Sequence, residues 1–142
     1  MRHSERGSTM VEFAISAALM LVMVFGILEF ARAVYTYHTV ENAARLGSRW
    51  AMVRGSECIA PSCPATTDTV KTYVQSQIPL LTAANATVTT TWATGTGCYA
   101  GPANAPGCVV TVTVSYPFTF DLPFVSKTLL QMSSTSKMVI SE

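Results

Sequence analysis

Uncharged, apolar residues dominate one stretch near the N-terminus of this 142-residue chain. Phe13 to Leu28 carries no charge, and Ser16 is the only polar side chain within it. These 16 residues are slightly fewer than the roughly 17–25 that a spanning helix needs, but apolar neighbours extend the run from Met10 to Phe30. At about 1.5 Å per residue, the longer segment crosses a hydrocarbon core of about 30 Å. The pattern predicts a transmembrane helix over residues 8–30.

The helical pattern continues beyond the apolar run. No proline lies between Phe30 and Val53, and Gly47 is the only glycine there. Small or apolar residues recur every three or four positions, as on one face of a helix. They are Val34, Tyr37, Val40 or Glu41, Ala44, Gly47 or Ser48, and Ala51. With Gly55 as the stop signal, the predicted helix is about 45 residues long, and residues 31–55 are its exported continuation.

A second, shorter helix is predicted after the long one. Thr67 or Asp68 can cap its N-terminus, and Pro79 ends or kinks it. Its apolar stripe consists of Val70, Tyr73, Val74, Ile78 and Leu81. We expect this helix to cover one face of a sheet.

Alternating polar and apolar residues predict a sheet in the remaining chain. The strands lie near residues 87–92, 108–116 and 130–140, and the connection 117–124 is expected to cross one end of the sheet. The apolar stripe of the last strand is polar in its middle, which suits an edge strand. An antiparallel sheet with one face against the long helix gives the α+β class, with residues 56–142 as one exported domain.

A short basic segment and a glycine precede the apolar run. Arg2 and Arg6 lie before Gly7, and Glu12 lies five residues after that glycine, just inside the predicted membrane helix. A charged side chain costs about 2.5–3.5 kcal/mol at mid-bilayer and less near the interface, and such residues are usually functional. The two arginines favour a cytoplasmic N-terminus by the positive-inside rule.

Motifs in the first 55 residues resemble the TadE-like family, the minor pseudopilins of Tad (tight adherence, type IVc) pili. These motifs are Val11-Glu12-Phe13, Glu29-Phe30-Ala31-Arg32, Asn42-Ala43-Ala44-Arg45-Leu46-Gly47 and the run to Gly55. The basic leader, Gly7 and Glu12 also resemble the processing site of type IV pilin-like proteins. The rest of the chain is similar only in general layout.

The resemblance implies a pilin-like fold and a defined processing route. Residues 1–7 would be a leader, and a prepilin peptidase would cut between Gly7 and Ser8. Glu12 would then engage the N-terminal amine of a neighbouring subunit during pilus assembly. The implied role is a minor subunit that helps to initiate or build a pilus used in adherence.

The resemblance also implies partners and a location. Besides the peptidase, the partners would be other pilin and pseudopilin subunits, the inner-membrane assembly platform and membrane lipid. The protein would cross the bacterial inner membrane once, with its N-terminus cytoplasmic and its C-terminal domain periplasmic or extracellular. Within the helix, Glu29 and Arg32 are three residues apart, so they can pair with each other or across subunits.

Four cysteines follow the long helix, in the segment expected to be exported. They are Cys58, Cys63, Cys98 and Cys108. An even number in an oxidising compartment predicts two disulfides, for which three connectivities are possible. We favour 58–63 and 98–108, because each pair brackets a loop rich in proline or glycine. Zinc is disfavoured because both histidines are distant in sequence, and a redox role lacks the Cys-x-x-Cys spacing.

Composition excludes several other function classes. The formal charge is +1, and loss of Arg2, Glu5 and Arg6 with the leader would make the chain neutral, which gives no basic footprint for nucleic acid. Asp68 and Asp121 are the only carboxylates between Cys58 and Glu142, and no histidine follows Cys58. Without a base to activate a nucleophile, and with no phosphate-binding motif, we predict no enzyme activity and no cofactor.

Two alternative interpretations of the N-terminus remain. A cleaved signal peptide usually has an apolar core of about 7–15 residues and a small-residue cleavage site, whereas this run is longer and continues into helical sequence. A plain membrane anchor, never cleaved, would make the protein a monomeric single-pass protein whose exported domain binds a ligand or a surface.

Overall fold

The computed structural model describes residues 5–78, 81, 85–93, 98, 101–121 and 127–141. In order along the chain, its elements are α1 (Glu5–Met52), α2 (Thr67–Ser76), β1 (Thr87–Ala93), β2 (Val109–Thr119) and β3 (Leu129–Val139). The strands form one antiparallel sheet in the order β1-β2-β3, so the predicted α+β class is confirmed. The predictions for Arg2, Pro79 and residues 122–124 lie outside the described residues.

The first helix is one continuous element of 48 residues, about 72 Å long at 1.5 Å per residue. It ends at Met52, three residues before the Gly55 that the sequence indicated as its stop. The N–H of Arg54 then donates to the carbonyl of Ala51 in a turn. Among the described residues, only its second half packs against those that follow the helix, which we call the head (the described residues from 53 to 141). The two halves of α1 therefore face different surroundings.

The buried face of α1 differs from the predicted stripe at its start. Val34 and Tyr37 are 37% and 49% exposed, whereas Ala33 and Thr36 are buried. Further along, Val40, Ala43, Ala44, Gly47, Ser48 and Ala51 are buried as a mostly small-residue stripe. Small side chains dominate because the helix lies close to the sheet, and the larger Val34 and Tyr37 point away from it.

Gly47 marks the closest approach between α1 and its neighbours. A Cβ placed there would lie 2.6 Å from Cγ2 of Val74 in α2 and 3.1 Å from Cγ1 of Val112 in β2. One position later, the fully buried Ser48 shares a hydrogen bond of 2.8 Å with Ser136 of β3. This bond accounts for the serine in the apolar stripe of β3, because a buried hydroxyl needs a partner.

The second helix begins one residue earlier than its predicted caps. Thr66 is the N-cap, and its hydroxyl accepts from the backbone N–H of Thr69 while Thr69 Oγ1 accepts from the N–H of Thr66. This reciprocal pair is a capping box with threonine in the position that usually holds Glu or Gln. Val70 and Val74 are buried against α1 and the sheet, as the apolar stripe predicted.

The central strand is longer than the alternating pattern indicated. β2 extends through Pro117 to Thr119, so the expectation that residue 117 begins a connection is wrong. β1 pairs only as far as Ser115, and beyond it β2 has a neighbour on one side only. A proline is tolerated there because a free strand edge needs no ladder hydrogen bond from it.

The second half of α1 runs in the same direction as β3. Near its start, Ala33 clusters with Met132, while further along Ser48 meets Ser136. At its end, the carbonyl of Met52 accepts from the N–H of Ser141 at 2.9 Å. β3 is thus attached to the second half of α1 near the start, in the middle and at the end of that half.

We predict that Gly47→Ala destabilises the head. The added methyl group would overlap Val74, whose β-branched side chain has few other rotamers, and overpacking typically costs about 1–3 kcal/mol. A contact as short as 2.6 Å places the cost in the upper part of this range, about 2–3 kcal/mol. The better helix propensity of alanine returns about 1 kcal/mol, so a net loss of about 1–2 kcal/mol is expected. Thermal unfolding followed by circular dichroism would measure it as a Tm lowered by several degrees.

Gly26→Ala is the matched control, because nothing lies within 4 Å of a Cβ at that position. Its Tm should equal or exceed that of the wild type. Equal Tm values for the Gly47 variant and the wild type would show that α1 does not approach the sheet as closely as described.

Candidate functional site

The first half of α1 is an apolar surface that the described part of the head does not cover. Its most apolar window of 18 residues has a mean hydropathy of 2.4 and is 0% buried. Side chains as large as Phe13 and Phe30 are 75% and 69% exposed. One such helix near the N-terminus fits a single-pass membrane anchor by length and composition.

The residues predicted for processing and assembly all lie on this half of α1. Gly7, Ser8 and Glu12 are helical and exposed. Nothing lies within 4 Å of a Cβ built on Gly7, and Glu12 makes no hydrogen bond or ion pair with the residues that the structure describes. The predicted roles of these three residues depend on other molecules, so they stay predictions.

Glu29 and Arg32 form an ion pair where the apolar half of α1 ends. Nη2 of Arg32 lies 3.0 Å from Oε2 of Glu29 within the same helix. The same guanidinium reaches the head, where Nη2 donates to the carbonyl of Thr119 and Nη1 lies 3.5 Å from Oδ2 of Asp121. Glu29 also accepts from the backbone N–H of Asp121 at 3.4 Å. The pair therefore binds the end of β2 to the helix.

Aromatic and charged side chains complete this contact. The Arg32 guanidinium lies 4.8 Å from the ring centre of Phe118, which in turn makes an edge contact with Phe120. Lys127 Nζ lies 3.0 Å from Oδ1 of Asp121. The hydrogen bond and charge of Lys127, with a smaller effect of Arg32, hold the pKa of Asp121 below its usual value. Asp121 is therefore a carboxylate at neutral pH and an effective partner for both cations.

We call this contact the base clamp: Glu29, Arg32, Phe118, Asp121 and Lys127. It joins the last turn of the apolar segment to the end of the sheet nearest to it. Each ion pair is partly exposed and so contributes little alone. Together with the buried cluster of Ala33, Phe118 and Met132, they fix the direction of the head relative to the anchor.

Sequence reasoning found two of the five residues of the base clamp. It identified Glu29 and Arg32, whose spacing on one helix is visible in the sequence. It missed Phe118 and Asp121, because their approach to Arg32 depends on how far β2 extends, and Lys127, which joins the clamp through Asp121. The available signal was the segment Phe118-Thr-Phe-Asp121, whose alternating aromatic residues continue the strand pattern.

The cysteines form two disulfides, Cys58–Cys63 and Cys98–Cys108, the connectivity that the loop composition favoured. The first closes the loop between α1 and α2. The second ties Cys98 to the start of β2 and packs against the core. Each spans a short loop, five and ten residues apart in sequence, so both serve to fix local loop structure.

The described residues contain no constellation that indicates catalysis or metal binding. Among them, no group of three or more His, Cys, Asp or Glu residues is placed to hold a metal ion. The charged side chains that do meet, in the base clamp, neutralise one another. The arrangement therefore serves attachment and orientation of the head.

These features define a small α+β head carried by a long helix whose apolar half fits a membrane anchor. The model of the TadE-like protein family matches residues 7–49, which confirms the resemblance seen in the sequence. Searches of curated proteins and of solved structures find no match to the chain. The matched segment indicates a protein related to the Tad pilus, and it includes Gly7, Glu12, Glu29 and Arg32.

We predict that Arg32→Ala loosens the base of the head without unfolding it. The substitution removes the donor to Thr119 and the charge shared by Glu29 and Asp121. Backbone amides near Phe120 and Asp121 should exchange with deuterium about tenfold faster, while global stability falls by less than about 1 kcal/mol. Hydrogen exchange read by mass spectrometry would measure both.

Arg45→Ala provides the matched control. Arg45 pairs with Glu41 on the exposed side of the same helix, and its side chain makes no described contact with the head. Exchange near Asp121 should be unchanged in this variant. If both variants behaved alike, Arg32 would act only within the helix.

Proposed function

We propose that this protein is a minor pseudopilin that helps to initiate or build a Tad-type pilus used in adherence. The observation that carries the proposal is the division of α1, with an uncovered apolar half inside the TadE-like match and a second half packed into a head. An uncovered helix of this kind can be held in lipid and then transferred to contacts with helices of other subunits. A head of this size favours a minor subunit.

The route to assembly begins with removal of residues 1–7. A prepilin peptidase on the cytoplasmic side would cut between Gly7 and Ser8. One feature supports this step: the basic leader precedes the apolar helix directly. The head would lie in the periplasm or outside the cell, where its two disulfides are stable.

Cleavage would create a positive amine at Ser8, and Glu12 supplies the opposite charge. Glu12 has no partner among the described residues of its own chain. In a medium of low dielectric constant an ion pair is much stronger than in water, and an unpaired charge is unfavourable. The carboxylate of one subunit would therefore favour positions in which it meets the amine of another. This gives assembly a defined register between neighbouring helices.

The proposed partners of the protein are those that would act on the apolar half of α1. They are the prepilin peptidase, other pilin and pseudopilin subunits, the inner-membrane assembly platform and the lipid of the bacterial inner membrane. All would act on the first half of α1, because the apolar residues and Glu12 lie there.

The first prediction concerns the N-terminus of the mature protein. Protein extracted from membranes of cells that contain the pilus peptidase should begin at Ser8, by intact mass and N-terminal sequencing. A Gly7→Val variant should keep Met1, since the branched side chain would obstruct cleavage. A wild-type chain that still begins at Met1 would instead indicate a plain anchor, and one that begins near Arg32 would indicate a signal peptide.

The second prediction separates assembly from cleavage. Glu12→Gln should still be cut after Gly7, but pilus formation should fall about tenfold or more because the neighbour's amine loses its partner. Pili counted by electron microscopy and sheared pilus protein measured by immunoblot would show the loss. Glu57→Gln, a charge change on an exposed head residue, is the control and should assemble normally. Normal piliation with Glu12→Gln would contradict the proposed role.

A further inference from the structure

A groove with a volume of about 400 Å³ lies at the end of the head farthest from the anchor. Trp50, in its wall, is 20 residues beyond Phe30, or about 30 Å along the axis of α1. The lining includes Trp50, Ser62, Asp68, Thr72, Tyr73 and Ser76. None of these residues takes part in the base clamp or in the proposed assembly mechanism.

The floor of the groove is aromatic. The rings of Trp50 and Tyr73 are stacked, with centres 5.2 Å apart and planes inclined by 19°. Both side chains are only partly buried, although they pack against the core. Partly exposed aromatic rings in a concave site offer apolar contact area to a ligand at low entropic cost.

The groove is held in shape without a ligand. The Arg54 guanidinium lies 4.4 Å from the ring centre of Trp50, and its Nη1 donates to the Trp50 carbonyl at 3.2 Å. Its Nε donates to Ser62 Oγ at 2.9 Å. Ser62 lies in the loop that the Cys58–Cys63 disulfide closes, so both walls are fixed in advance. Such preorganisation lowers the entropic cost of binding.

The rim consists mainly of hydrogen-bond acceptors. The Thr72 hydroxyl donates to the carbonyl of Asp68 at 2.9 Å, and the Ser76 hydroxyl donates to that of Tyr73 at 2.7 Å. Each hydroxyl proton is therefore used, while the oxygen lone pairs remain available. The Asp68 carboxylate has no partner among the residues that the structure describes. A ligand must bring donors to this rim, and the negative charge of Asp68 disfavours anions.

We propose that this groove binds a neutral glycan. A sugar ring has an apolar C–H face that can pack on Tyr73, whereas the ring of Trp50 is covered by Tyr73 and Arg54. Hydroxyl groups around the edge of the sugar can donate to Asp68, Thr72 and Ser76. The volume lies within the range of about 300–1,000 Å³ that small-molecule sites occupy. With the head outside the cytoplasm, as proposed above, the position of the groove far from the anchor leaves it open to ligands outside the cell. The inference rests on that orientation but not on pilus assembly.

The test uses the full-length chain, purified in a detergent without a sugar head group. An array of immobilised neutral and acidic oligosaccharides would identify binders, and isothermal titration with the best neutral oligosaccharide would give its Kd. We expect binding to neutral members of the array, with little dependence on salt concentration because the ligand carries no charge.

Variants locate the site. Asp68→Asn should weaken binding about tenfold, since the charged acceptor becomes a neutral amide oxygen, and Thr72→Val should weaken it severalfold. Glu57→Gln, outside the groove lining, should bind like the wild type, and all variants should share its Tm. Three outcomes would overturn the inference: no neutral oligosaccharide binds, binding survives Asp68→Asn, or choline, tested as a cationic probe, binds in place of sugars.

Discussion

The structure depends on one constraint: half of a 48-residue helix has no apolar partner in the described part of its own chain. Burial of apolar surface stabilises by about 25 cal/mol per Å², so such a surface persists only where lipid or other helices surround it. The head cannot use that half as a core element. It is built instead on the second half of α1, with a three-stranded sheet, one short helix and two disulfides.

This division explains why small residues dominate the buried face of the second half of α1. A head with few elements gains most from close packing, and alanine, glycine and serine let the sheet approach the helix. Gly47 is the limiting case, with no room for a Cβ beside Val74 and Val112. Ser48 then forms a hydrogen bond with Ser136, so the polar middle of β3 is a point where the strand is attached to the helix.

Sequence reasoning was accurate wherever a local signal decides the outcome. It predicted the long helix, the second helix, three strands and the edge position of β3, since periodicity and turn residues encode these. It was wrong about Val34 and Tyr37, because it favoured large apolar side chains where close packing selects small ones. It also ended β2 too early at Pro117, since only the extent of β1 shows that proline lies on a free edge. Asp121 was missed for the same reason, because Arg32 is 89 residues away in sequence, and Lys127 joins the base clamp only through Asp121.

The parallel course of α1 and β3 has a mechanical consequence. The head is attached to the helix at its base through Arg32, in its middle through Ser48 and at its end through Met52. Because the head contacts α1 at three positions along the helix axis, it cannot rotate about the helix independently. Any rotation of the anchor about its own axis must therefore turn the head by the same angle. One residue inserted into the apolar segment would change that azimuth by about 100°, and so decide which side of the sheet faces a neighbour.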